Sequence, residues 1–173
     1  MKPIILISGE LTPKRLEEIQ REMERYKELC FPGEEMHFVI DSPGGNSFKT
    51  LEFLEHLLNT AKSNTLYAKI YRAGSSAALI ALCVQNREIA KDGHLTIHLP
   101  SISELSISRL DSEGRVPKET LATGEQIRRK TFELMKQAGI PEEGAHIDHL
   151  LGNESVTFDA EACLRFGIVK RII

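Results

Sequence analysis

The 173-residue sequence has few cysteines, no clustered basic charge and no apolar run long enough to cross a bilayer. Each shortage removes a class of function. The three cysteines, Cys30, Cys83 and Cys163, have neither metal-ligand nor redox spacing, and each lies among apolar residues as a buried thiol does. A reducing, cytoplasmic setting is the expectation. The 22 basic and 25 acidic residues leave a net charge of −3, with no stretch that would follow a nucleic-acid backbone or an anionic membrane. The opening apolar run, Ile4 to Ile7, is too short for a signal peptide, and nothing later is long enough to span a membrane. Internal repeats and low-complexity segments are also missing. What remains is enough chain for one self-sufficient core.

The remaining pattern is an alternation of strands and helices. Ile4 to Ile7, closed by Gly9, reads as a strand covered on both faces. Thr12 caps a helix with Pro13 at its first position, and Leu16, Ile19, Met23 and Tyr26 form its stripe up to Pro32-Gly33. A strand at Met36–Ile40, a helix at Phe48–Leu58 with Phe48, Leu51, Leu54 and Leu58 in register, and a strand at Thr65–Tyr71 come next. Ser76–Val84 reads as a buried helix, and His94–His98 as a strand. This order predicts an α/β fold with a largely parallel sheet. Beyond Pro100, Ile102–Leu110 alternates like an exposed strand that projects from the body. A long amphipathic helix over about 119–138 carries Leu121, Ile127, Leu134 and Met135. A short helix at Ala145–Leu151, a loop at Gly152–Thr157, a helix capped by Asp159 and a strand at Ile168–Ile173 complete the chain.

Two connections carry candidate chemistry. Asp41-Ser42-Pro43-Gly44-Gly45-Asn46 lies between strand and helix, and its glycines let backbone N–H groups face an oxyanion; the plain alternative is a Pro-Gly turn. Ala73-Gly74-Ser75-Ser76 puts a serine at a helix N-terminus, where free N–H groups favour the negative charge of acyl transfer. The plain alternative there is helix capping by serine. His98, before Leu99-Pro100 at a strand end, is the candidate base, because histidine exchanges protons near neutrality. His94 shares its face and is the rival, whereas His37 and His56 read as surface or half-buried. His146, Asp148 and His149 match no strong metal motif, so no metal and no cofactor are expected.

Taken in order, these segments resemble the Clp protease proteolytic subunit, of the superfamily that includes crotonase-type enzymes. Asp41-Ser42-Pro43-Gly44-Gly45 is similar to the family's Asn-Ser-Pro-Gly-Gly, Ala73-Gly74-Ser75-Ser76-Ala77 to its Ala-Ala-Ser-Met-Gly, and Ile97-His98-Leu99-Pro100 to its Ile-His-Gln-Pro. Ile4–Gly9 resembles its opening strand. Ala160-Glu161-Ala162 through Phe166-Gly167-Ile168-Val169 resembles its closing Ala-Glu-Glu-Ala and Tyr-Gly-Leu-Ile.

The resemblance covers nearly the whole chain and implies a repeated ββα superhelix with a projecting strand-helix handle. It divides a single domain, 1–173, into a head at 1–100, a handle at about 101–138 and a closing segment at 139–173. It further implies a serine endopeptidase with Ser75 as nucleophile, His98 as base and the N–H groups of Gly45 and Ser76 as oxyanion hole. Its substrate would be peptide or unfolded protein, its assembly a homo-oligomer, ring-shaped or smaller, with an ATP-driven unfoldase as the family's partner. The family's acid lies twelve positions before the glycine matched by Gly167, which here is Ser155, with Glu154 as the adjacent carboxylate. The chain also starts almost on its first strand, and the spacing from His98 to the long helix exceeds the family pattern. Two other readings stand beside this one: an impaired peptide-binding or scaffold subunit, and a crotonase-like acyl-CoA enzyme that polarises a thioester with the glycine turn.

Overall fold

A computed structural model describes residues 4–29, 33–98, 118–140 and 155–173. Six strands form one sheet. The elements run β1 (Ile4–Leu11), α1 (Pro13–Leu29), β2 (Glu35–Gly45), α2 (Ser47–Thr60), β3 (Thr65–Gly74), α3 (Ser76–Cys83) and β4 (Asn86–Ile97). They continue with α4 (Lys118–Gln137), β5 (Val156–Asp159), α5 (Ala160–Arg165) and β6 (Arg171–Ile172). The strand order is β1-β2-β3-β4-β5, with β6 on the other half of β4. The pairs β1·β2, β2·β3, β3·β4 and β4·β6 are parallel, and only β5 runs antiparallel to its neighbour. The alternation of strands and helices therefore predicts the mixed α/β sheet correctly.

α3 is the centre of the core. All eight of its residues are buried, with α2 and α4 on one side and β2, β3 and β4 on the other. A helix that is apolar all round has no solvent face to offer, so enclosure is what its sequence demands. Fully burying each aliphatic side chain such as Leu79 or Ile80 stabilises the fold by roughly 1.5–3 kcal/mol. Arg87 closes the C-terminal end of α3, donating to the carbonyls of Leu82 and Val84 at 3.1 and 2.5 Å and to that of Ile168 at 2.5 Å.

Several boundaries differ from the sequence expectation. β1 is not covered on both faces: Ile4 and Leu6 are 55% and 51% exposed, while Ile5 and Ile7 are fully buried. β1 is the edge strand, and α1 packs on one side of it. The buried stripe of α2 is Thr50, Phe53, Leu54, Leu57 and Thr60, turned from the expected one so that Leu51 and Leu58 are half-buried. α2 has neighbours on two sides, α1 and the α3–α4 pair, and so presents a wider face than one heptad-like stripe. β2 and β3 run on into the glycines, β4 begins at Asn86 well before His94, and Val156-Thr157 is strand rather than loop because it pairs with Thr96-Ile97. The closing strand shrinks to Arg171-Ile172, since Ile168 and Val169 turn into the core.

α4 matches its expected range. Its first turn is exposed at Leu121, while Ile127, Thr131, Leu134 and Met135 are buried against the body. The expected projecting strand at 102–110 and the short helix at 145–151 lie outside the described residues, as do Cys30, His146, Asp148, His149 and Glu154.

A line of irregularities crosses the sheet at one level. Register shifts fall at Ser8/Glu10 in β1, Ile40/Asp41 in β2 and Ile70/Arg72 in β3, the last opposite an excursion of β4 between Ile89 and His94. Bulges bend strands and re-aim the residues beyond them. Here the parts of β2, β3 and β4 past that line carry Pro43–Gly45, Gly74 and His94–Ile97.

Candidate active site

Parallel sheets present ligand sites beyond the C-terminal ends of their strands, and the sequence-predicted residues meet there. Ser75 follows β3, His98 follows β4, and Gly44-Gly45 ends β2. His98 Nε2 lies 2.6 Å from Ser75 Oγ. That is hydrogen-bond distance, and in the tautomer that leaves Nε2 without a proton the serine hydroxyl is the donor.

Ser75 has φ 51° and ψ −120°, and it is the only non-glycine with positive φ among the described residues. A non-glycine in such a region costs about 1–3 kcal/mol and persists only where its surroundings over-determine it. The surroundings are visible. Its N–H donates to Thr96 O at 2.9 Å, and its carbonyl accepts from Ala78 and Leu79 at the start of α3. Its hydroxyl makes no helix-capping bond, so the capping alternative is ruled out by where the oxygen points.

The glycine bend packs directly on this turn. A Cβ on Gly44, whose φ is +99°, would stand 2.4 Å from Gly74 O and 2.7 Å from Ser75 Cβ. A Cβ on Gly74 would meet Pro43 O at 2.7 Å. The glycines are thus required by close approach of two backbones, and a plain solvent turn explains neither contact. Ser42, fully buried, ties the bend down by donating to Gly9 O at 2.6 Å and accepting from Gly44 N–H at 3.1 Å. Ser76 Oγ donates to Gly45 O at 3.0 Å, while Asn46 N–H runs the other way to Leu11 O at 2.8 Å. The Gly45 carbonyl therefore faces the α3 side. Ser76 begins α3, where the first N–H groups have no acceptor within the helix.

Ser75 and His98, with Pro43 of the bend and Gly74 of the turn, border an open cleft of ≈ 270 Å³. Pro43 forms one wall, Arg72, Gly74 and Ser75 the floor, and His94, Thr96 and His98 the other wall. Ser155, exposed, stands at the far side, where the Thr96 Oγ1 to Thr157 Oγ1 contact of 2.9 Å joins β5 to β4. No carboxylate lines the cleft among the described residues. The rival histidine, His94, shares the cleft but pairs in register with Arg72 and Asp159 rather than approaching Ser75. Asp159 acts as the expected cap of α5, accepting from Ala162 N–H at 2.7 Å.

Arg72, Ser42 and the Ser76 hydroxyl are contributions that the sequence reading passed over. For Arg72 the signal was available, since the two-residue strand period puts it on the face of Gly74. For the two serines there was none, because their partners lie 33 and 31 residues away.

No protein-family model and no curated protein matches the sequence. Solved structures do. A ClpP1 point mutant from Listeria monocytogenes aligns over 98% of this chain and 90% of its own, with TM-score 0.69 and 18% identity. The ClpP protease catalytic domain from Plasmodium falciparum aligns over 98% of this chain and 84% of its own, with TM-score 0.68 and 16% identity. The chain has a ClpP-like fold. No described helix is long and apolar enough to cross a membrane.

Proposed function

We propose that this chain is a serine endopeptidase acting on peptides or unfolded protein through an acyl-enzyme on Ser75. The observation that carries the reading is the 2.6 Å approach of His98 Nε2 to a serine hydroxyl held in a strained turn at a helix start. Ser75 Oγ attacks the scissile carbonyl while its proton passes to His98 Nε2. The tetrahedral oxyanion is received by the N–H groups of Gly45 and Ser76, two residues that the 3.0 Å bond from Ser76 Oγ to Gly45 O ties together. Collapse breaks the C–N bond, and the departing amine takes the proton from His98. Water, deprotonated by the same nitrogen, then releases the acid and restores the hydroxyl.

A second reading has its own observation. Ser155 lines the cleft where the family resemblance places an acid, and serine supplies no charge to orient or stabilise an imidazolium. That favours a slow enzyme or a peptide-binding subunit over a fast protease. The crotonase-like reading gains nothing from the site, because acyl-CoA chemistry has no use for the Ser75–His98 pair. Assembly as a homo-oligomer, in a ring or a smaller form, and service to an unfoldase belong to the proposal, as does a reducing cytoplasmic setting, in keeping with the free thiols of Cys83 and Cys163.

The test is hydrolysis of a quenched, fluorescently labelled unfolded protein by wild type, Ser75→Ala and His98→Gln. The peptidase reading expects release by wild type alone. Binding of the same substrate without release by any of the three selects the peptide-binding subunit. Release that survives Ser75→Ala rejects both.

A further inference from the structure

Arg72 puts a full positive charge into the cleft that holds Ser75 and His98, and no described carboxylate lines that cleft to answer it. Its place is set by the strand. Residues 72 and 74 share a face of β3, so the guanidinium stem rises one strand step before the turn that carries the serine. Across the sheet it pairs in register with His94, another cleft residue.

Its one partner among the described residues is Asp41, with Nε 3.1 Å from Oδ1. That contact leaves the two terminal nitrogens, with their four N–H donors, without an acceptor among the described residues. The Asp41 pair is also easily shared. Both side chains are about half exposed, at 46% and 55%, and ion pairs in such surroundings contribute little and are screened by salt. A carboxylate brought by a substrate can therefore engage the free edge of the guanidinium in the two-point geometry that arginine favours.

We propose that Arg72 is a specificity-determining residue that selects substrates with an acidic side chain within two residues of the scissile bond. The proposal rests on the peptidase reading for its word "scissile", and its test is chosen to separate the two. The plain alternative is that Arg72 braces the bend, since Asp41 directly precedes Ser42-Pro43.

The experiment measures binding to the full Ser75→Ala chain by fluorescence anisotropy. The probes are labelled decapeptides in which one Gln is replaced at successive positions by Glu or Lys. We expect one position at which the Glu peptide binds about five- to tenfold tighter than its Gln isostere, as a partly exposed charged hydrogen bond allows. Adding Arg72→Gln abolishes that advantage, and Arg72→Glu transfers it to the Lys peptide. Asp41→Asn keeps or enlarges it, because the competing carboxylate is gone. Equal binding of Glu and Gln peptides at every position, no binding of any peptide, or loss of the preference in Asp41→Asn as complete as in Arg72→Gln overturns the proposal. In parallel, wild type is treated with a fluorophosphonate. A labelled Ser75 without acidic preference rejects the role of Arg72 alone, whereas acidic preference without labelling supports Arg72 and rejects the peptidase chemistry.

Discussion

Gly44→Ala tests whether the serine turn is held by the bend beneath it. The new Cβ would lie 2.4 Å from Gly74 O, 2.7 Å from Ser75 Cβ and 3.0 Å from Ser76 N, and two of those neighbours are backbone atoms that cannot swing aside. At +99° the φ of residue 44 adds strain of about 1–3 kcal/mol for any residue with a side chain. In a domain of this size that strain lowers Tm by about 2–12 °C.

The functional loss is expected to be larger than the loss of stability. Regaining even a 3.0 Å contact moves the bend and the serine turn apart by 0.6 Å. Misplacements approaching ~1 Å cost about a hundredfold in rate, so fluorophosphonate labelling should slow by that order at a temperature where the variant is folded. Gly9→Ala is the matched control: φ is +70° with no atom within 4 Å of the added Cβ, so it carries strain without collision. It should lose a few degrees of Tm and keep the labelling rate. Gly44→Ala labelling at the wild-type rate, or Gly9→Ala slowing as much, would refute the reasoning.

Four further outcomes are expected. Ser155→Asp places a carboxylate at the cleft edge near His98 and should raise the labelling rate by about tenfold or more, given the large penalty for an unoriented imidazole; an unchanged rate would mean that the ring is already oriented. Burial pushes the thiols of Cys83 and Cys163 up to about 12, with Asp159 adding to the second, so a Cys30→Ser protein should resist iodoacetamide until it is unfolded. Burial also lowers the pKa of His56 from its ordinary 6.5, against the pull of Glu24 at 2.9 Å and with Lys27 adding to the depression. The unfolded chain then binds the proton more readily, so stability is complete above pH 6.5 and falls as pH drops from there towards the folded value; His56→Gln should flatten that decline in urea titrations. Arg87→Met removes three donors from the carbonyls of Leu82, Val84 and Ile168, and should cost about 3 kcal/mol or more in the same titrations.

The Ser75–His98 pair was legible because both residues sit in short, unusual strings at element ends, where small neighbours and a following proline limit the backbone. The capping alternative was equally legible and failed only on orientation, which a sequence does not carry. Periodicity could not tell that Ile4 and Leu6 lie on an open face, since an apolar run reads the same whether or not another element covers it. Nor could it find Asn86–Glu88, three polar residues that are strand only because Tyr67–Lys69 and Arg171 pair with them. The bulges at Ser8, Ile40 and Ile70 were invisible for the same reason, because a bulge belongs to a pair of strands and each sequence segment shows one. The strand period puts Arg72 on the face of Gly74, but its place beside His94 depends on the β3–β4 register, which one segment does not carry.

The most direct measurement is peptide mapping of the chain after reaction with a fluorophosphonate. A single adduct on Ser75, absent from His98→Gln, is what the account predicts. A chain that stays unmodified under conditions that label a known serine hydrolase, or one modified at any other serine, would contradict it.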